Sequence, residues 1–164
     1  MQRSYRWLAL ALLVFSSAST AAAQSVSHVL VMKSERRMQI MDGEVVVKTY
    51  SIALGGSPEG HKQKEGDERT PEGSYVLDWR NSKSGYHRSI HVSYPNEADK
   101  ARAASAGKDP GGMIMIHGQR NYLGWLSPLT QWFDWTNGCI AVSNAEMDEI
   151  WDLVKNGTPI EIRP

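Results

Sequence analysis

This chain has a single cysteine, Cys139, among its 164 residues. No intramolecular disulfide can staple it, and no cysteine-rich zinc site can form. Charge of one sign is also lacking, since 18 Lys and Arg stand against 18 Asp and Glu. A balance of that kind, without a clustered basic run, lacks the electrostatic footprint of a nucleic-acid binder. The histidines and acidic residues form no His-Glu-x-x-His zinc motif, so neither metal nor cofactor is expected. Repeats, heptads and low-complexity tracts are missing from Gln24 onward. The apolar stretch at the start, Trp7 to Phe15, is too short to span a bilayer.

That stretch has another use. Arg3 and Arg6 precede it and Ala21-Ala22-Ala23 follows it, the three-part pattern of a secretory signal over residues 1–23. No cysteine follows the apolar run, which excludes lipid attachment there. The expected mature chain, residues 24–164, is 141 residues long. That suffices for one domain with one core. Removal of two arginines leaves 16 basic against 18 acidic residues, a formal charge of −2. The destination is the periplasm, the cell envelope or the outside, with no stable membrane span after cleavage.

From residue 26 the pattern is β. Val29 to Met32, Met38 to Met41 and Val45 to Ala53 are short runs rich in Val, Ile and Met, and Asp42-Gly43 marks a hairpin. Gly55 to Thr70 is polar and glycine-rich, a long loop of the kind that carries function. Ser74 to Trp79, Arg88 to Tyr94 and Met113 to Ile116 read as further strands, and Ala98 to Ala106 as a short helix capped by Asn96. Ser143-x-x-Glu146 is a capping box that opens a helix from about Asn144 to Lys155, before a last strand, Thr158 to Ile162. The result is a mostly β domain with a few helices around one sheet-based core.

A lone cysteine on an exported chain is either a small buried hydrophobe or a reactive thiol. Its surroundings favour reactivity. Cys139 follows Gly138 and opens an apolar strand, twenty-two residues after His117-Gly118. A thiol needs a base to take its proton and return it to a leaving amine. Of five histidines, His28 and His61 read as surface residues, and His87 and His91 flank a strand. His117 ends an apolar strand just before a glycine, which leaves its ring exposed at a sheet edge. A tight turn at Gly138 lets the amides of Gly138 and Cys139 converge as an oxyanion hole. Tyr122, Trp125, Trp132, Phe133 and Trp135 crowd the interval between the two candidates. They form either a lid against substrate or an amphipathic helix packed on the sheet.

Three ordered motifs, Thr70-Pro71-Glu72-Gly73-Ser74-Tyr75, Ile116-His117-Gly118 and Thr136-Asn137-Gly138-Cys139-Ile140, make the chain resemble the L,D-transpeptidase catalytic domain, the YkuD-like family. The resemblance runs from about Val29 to Ile162. It implies a β-sandwich-like core and an acyl transfer on peptidoglycan stem peptides, with Cys139 as nucleophile and His117 as base. Gly118 would shape the turn beside the base, and the Gly138 and Cys139 amides would hold the oxyanion. The family carries an arginine or polar residue two positions after the cysteine, where this chain has Ala141, and often a histidine where it has Asn137. Arg120 is the candidate replacement for carboxylate recognition, with Asn137 and Tyr122 as further substrate contacts. The segment Asp134 to Glu146 is similar to a branch that hydrolyses the bond to murein-bound lipoprotein. Transfer to an amine is the leading expectation and hydrolysis the alternative. A non-catalytic wall-binding module is a third reading, disfavoured because Cys139, His117 and Gly138 are all intact.

Overall fold

The computed structural model describes residues 25–164. The expected export signal therefore lies outside the described residues. Eight strands follow: β1 (His28–Met32), β2 (Arg37–Asp42), β3 (Val45–Ser51), β4 (Gly73–Ser84), β5 (His87–Val92), β6 (Met115–His117), β7 (Ile140–Ala141) and β8 (Thr158–Arg163). Three helices complete the set: α1 (Glu97–Ser105), α2 (Ser127–Thr130) and α3 (Asn144–Leu153). The mostly β class with few helices is what is observed.

All eight strands lie in one sheet, in the order β3-β2-β1-β8-β4-β5-β6-β7. Period-two alternation puts Val29 and Val31, Met38 and Ile40, Tyr75 and Leu77, and Ile160 and Ile162 into one core. The sheet then curls until its ends meet. Beyond β3, Ala53 exchanges both main-chain hydrogen bonds with Ala141 of β7, at 2.9 and 2.8 Å. Facing halves of the curled sheet thus enclose the core as the layers of a sandwich do. Helix α3 covers β5, with Met147 and Ile150 wholly buried.

Two helix starts follow directly from sequence. Asn96 and Asp99 form a reciprocal capping box at α1, and Ser143 and Glu146 form one at α3. Boundaries elsewhere move for local reasons. Met113 has a left-handed φ of 56° and cannot enter the extended ladder, so β6 starts at Met115. Val154 turns extended and ends α3 short of Lys155.

The long polar loop is cross-linked rather than loose. Lys33 is 2 % exposed and its Nζ donates to the carbonyls of Gly60 (2.7 Å) and Thr70 (3.0 Å) and to Glu72 Oε1 (2.8 Å). Burial lowers the Lys33 pKa, with the Glu72 carboxylate opposing that. Within the loop, Lys62 donates to Asp67 Oδ1 at 2.8 Å. Burial pushes the Asp67 carboxyl up, but Lys62 and three main-chain amides outweigh it and hold the pKa at about 2. Lys33 thus ties the loop to the end of β1, and Lys62 ties the loop to itself.

Candidate active site

His117 is the last residue of β6, between β5 (opposite Ser89) and β7 (opposite Ala141). Its ring is covered by aromatic neighbours, and His117 is only 4 % exposed, which corrects the expectation of a ring bared at a sheet edge. Tyr86 lies tilted over it at 4.7 Å between ring centroids, and Trp135 meets it edge-on at 5.8 Å. Its Nδ1 sits 2.6 Å from the Gly118 carbonyl oxygen. A carbonyl only accepts, so the proton is on Nδ1 and Nε2 keeps its lone pair. Burial lowers the imidazole pKa, and the Gly118 carbonyl only partly offsets that. At neutral pH the ring is an uncharged base.

Cys139 is placed by the turn before β7. Thr136 is buried and its hydroxyl does two jobs there: it donates to the Cys139 carbonyl at 2.8 Å and accepts from the Gly138 amide at 3.1 Å. The Thr136 main chain is tied to the segment after β3, through Leu54 and Gly56, at 3.1 Å each. Gly138 has φ 117°, and a Cβ on it would lie 2.5 Å from the Arg69 carbonyl oxygen. Only glycine fits. The predicted pair of convergent amides is corrected as well. The Gly138 amide is taken by Thr136, while the Cys139 amide has no acceptor among the described residues. One amide, not two, is free for an oxyanion.

The thiol itself donates to the Met113 carbonyl at 3.6 Å, an acceptor aimed there by the left-handed turn at Met113. Burial pushes the Cys139 pKa up, against a main-chain hydrogen bond and the charge of Lys62. Cys139 and His117 therefore rest as neutral thiol and neutral imidazole.

Both face one cavity of about 660 Å³. Arg120 and Asn137 line it too, so four of the expected site residues come together there. The other three do not line it. Gly118 is buried beneath, where a Cβ would lie 2.7 Å from Asn144 Oδ1, and Gly138 is held in the turn below Cys139. Tyr122 is 97 % exposed on the outer surface. His87 pairs with Asp148 at 2.7 Å, and His91 with Asp78 at 2.7 Å, and neither lines the cavity. His61, expected at the surface, accepts from the Glu72 amide and lies 3.1 Å from buried Asp99, a structural bond.

Residues not singled out from sequence complete the walls. Gln119 is 2 % exposed; it donates to the Val142 carbonyl (2.8 Å), and Thr130 donates to it (2.7 Å). Asn144 accepts from the Gln119 amide at 2.8 Å and packs against Gly118 and Gly124. The capping box announces where α3 begins, but nothing local tells that the next side chain braces the segment after His117. The aromatic stretch forms a 3₁₀ turn (Gly124–Leu126) and α2 rather than a helix packed on the sheet. Leu123, Leu126 and Thr130 line the cavity, while Trp125 and Trp132 stay 76 % and 82 % exposed. Among the described residues no group of three His, Cys, Asp or Glu is placed to hold a metal ion. No helix among them is long and apolar enough to cross a membrane.

The family model of the YkuD L,D-transpeptidase catalytic domain matches residues 27–162. Among curated proteins, the chain is 30 % identical over 127 residues to "Putative L,D-transpeptidase YafK" of Escherichia coli K12, covering 76 % of this chain and 42 % of that protein. The chain thus spans less than half the length of that relative. Among solved structures, it is similar to the helical cell shape determining protein Pgp2 of Campylobacter jejuni, with a TM-score of 0.64 and 25 % identity. The match covers 85 % of this chain and 48 % of Pgp2. Bd1075 of Bdellovibrio bacteriovorus is similar over 84 % of this chain and 48 % of its own, with a TM-score of 0.58 and 28 % identity. By the family match over most of its length, the chain belongs to the YkuD L,D-transpeptidase catalytic domain family.

Proposed function

We propose that this domain is a cysteine-dependent L,D-transpeptidase that remodels peptidoglycan in the cell envelope through an acyl-enzyme on Cys139. The observation that carries the reading is that His117, ending β6, and Cys139, just before neighbouring β7, open into one cavity, with Nε2 of the base left unprotonated by the Nδ1 bond to Gly118. Cys139 Sγ attacks the carbonyl carbon of the third-position diamino acid in a stem tetrapeptide, and the thiol proton passes to His117 Nε2. The Cys139 amide receives the developing oxyanion. Collapse breaks the C–N bond, His117 returns the proton to the departing D-alanine amine, and a thioester remains. An amine of a second stem then attacks the thioester, His117 takes its proton, and the thiol is restored. Arg120, on the cavity wall, is the cation for a substrate carboxylate.

Hydrolysis of the same bond, including release of murein-bound lipoprotein, is the second reading. It uses the same acyl-enzyme with water as acceptor, and the observation favouring it is the uncharged, fully buried Ala141 beside the nucleophile. Purified protein incubated with disaccharide-tetrapeptide tests both. Wild type should form a mass-detectable acyl adduct on Cys139, and Cys139→Ala should form neither adduct nor product while keeping its circular dichroism spectrum. Turnover by the alanine variant would refute the nucleophile. Dimer or D-amino acid exchange products mark transfer, and tripeptide alone marks hydrolysis.

A further inference from the structure

The segment between base and nucleophile has two apolar flanks. Leu123, Leu126 and Thr130, at i, i+3 and i+7, turn towards the cavity. Trp125, Leu129 and Trp132, at i, i+4 and i+7, share the opposite flank of the same helical turns, at 76, 59 and 82 % exposure. Phe133 and Tyr122 extend the patch at 62 and 97 %. Main-chain bonds from Leu126 to Leu123, Gln131 to Ser127 and Trp132 to Leu129 make it one continuous piece. A soluble surface seldom leaves so many large rings bare in so few residues unless something covers them.

The chemistry narrows what that is. From Asn121 to Phe133 there is no charged residue. The flanking charges are not free to form a basic collar, since Arg120 lines the cavity and Asp134 is bound to Arg36 at 2.6 Å. Adsorption to an anionic membrane surface lacks its electrostatic component here. Flat indole faces with neutral Asn, Ser, Thr and Gln between them suit a neutral polyhydroxylated ligand. A pyranose ring presents its axial C–H bonds as an apolar face to an aromatic ring and its hydroxyls to amides and water. The patch is also continuous with the cavity wall. A stem peptide whose third residue reaches Cys139 has two residues left, roughly 7 Å of extended chain, before the sugar that bears it.

We propose that Trp125 and Trp132 form a saccharide-binding platform that stacks the amino-sugar rings of the glycan strand whose stem peptide enters the cavity. The proposal rests on the peptidoglycan reading above, and two measurements separate their failures. The first is binding of peptide-free glycan strands, followed by tryptophan fluorescence, which needs no catalysis. Wild type should bind them, and the double variant Trp125→Ala/Trp132→Ala should bind about tenfold more weakly, with Trp→Phe at both sites restoring most of the loss. The second is the ratio of kcat/KM for disaccharide-tetrapeptide over bare tetrapeptide. It should exceed one by about tenfold in wild type and fall towards one in the double alanine variant. Glycan binding without turnover of either substrate would sink the transpeptidase reading and leave the platform standing. Turnover with a ratio near one in wild type, or no glycan binding, overturns the platform. So does co-sedimentation with anionic vesicles, or self-association, that the double alanine variant abolishes while glycan binding stays unchanged.

Discussion

Thr136→Val replaces a hydroxyl by a methyl of nearly the same size and so isolates the two bonds that build the nucleophile turn. The wild-type hydroxyl donates to the Cys139 carbonyl at 2.8 Å and accepts the Gly138 amide at 3.1 Å, at a site 6 % exposed. Each bond contributes about 0.5–1.5 kcal/mol net, and each buried partner left unpaired costs about 1–3 kcal/mol. Because the Cys139 carbonyl borders the cavity and can recruit water, the sum is about 2–4 kcal/mol rather than the upper limit. For a domain of this size that lowers Tm by roughly 8–16 °C. Loosening also frees Gly138 and Cys139 from the geometry that aims Sγ and the free amide at one point. The rate of acyl-adduct formation should fall at least about tenfold, because a small displacement of reacting groups is costly. Thr136→Ser, which keeps the hydroxyl, should recover most of both losses. Thermal melts and stopped adduct formation by mass spectrometry check it. A valine variant within about 0.5 kcal/mol of wild type, acylating at the wild-type rate, would refute the role given to this hydroxyl.

Two further outcomes follow from the neutral resting pair. Iodoacetamide should alkylate Cys139 at a rate that climbs about tenfold per pH unit from pH 6 to 8 without a plateau, because burial raises the thiol pKa above its ordinary value and leaves no stable thiolate; a plateau beginning below pH 7 would show a thiolate–imidazolium pair instead. Stability should be greatest between the ordinary values of the two groups, 6.5 for His117 and 9.0 for Cys139. The depressed imidazole loses its contribution as pH falls below 6.5, and the raised thiol loses its own as pH rises above 9.0. Denaturant titrations should show the alkaline loss reduced in Cys139→Ala, and an unchanged alkaline limb would contradict the assignment.

What the sequence disclosed was chiefly what is local. Alternating Val29 and Val31, the Asp42-Gly43 turn and the Ser143/Glu146 box each act over a few residues, and each appears where its chemistry directs. Cys139 and His117 were legible as a candidate pair because a lone thiol and a histidine before a glycine stand out in the chain. The misread features depend on neighbours distant in sequence. His117 is buried because Tyr86 and Trp135, 31 and 18 positions away, lie against its ring. The Gly138 amide is taken by the Thr136 hydroxyl, in a turn that Arg69 and Gly55 of the long loop approach closely. Asn144 is one residue past a recognised cap, yet its role comes from contact with Gly118 and Gly124. Its place between the two motifs groups Tyr122 with the site, but it sits in a left-handed turn (φ 69°) on the outer surface.

Ala141 shows how closing the sheet can move a function. The position is fully buried, pairs with His117 on one side and exchanges two hydrogen bonds with Ala53 on the other. A long cation there would have to leave a site that has no water to solvate it, or break the contact that joins the two ends of the sheet. Either cost exceeds what an exposed ion pair returns. On the reading proposed above, a charge for a substrate carboxylate would come from outside β7, and Arg120 on the cavity wall is the cation placed for it. Arg120 is separated from the base by Gly118 and Gln119, and Gln119 is locked at both ends, to Val142 and to Thr130. The main chain of Arg120 thus follows directly on a fixed residue. Under the proposed reading, that arrangement would set the distance between carboxylate recognition and the attacked carbonyl through the segment after β6 rather than through β7. Lengthening or shortening the His117–Arg120 segment should then shift substrate reach, while Ala141 holds the sheet closed.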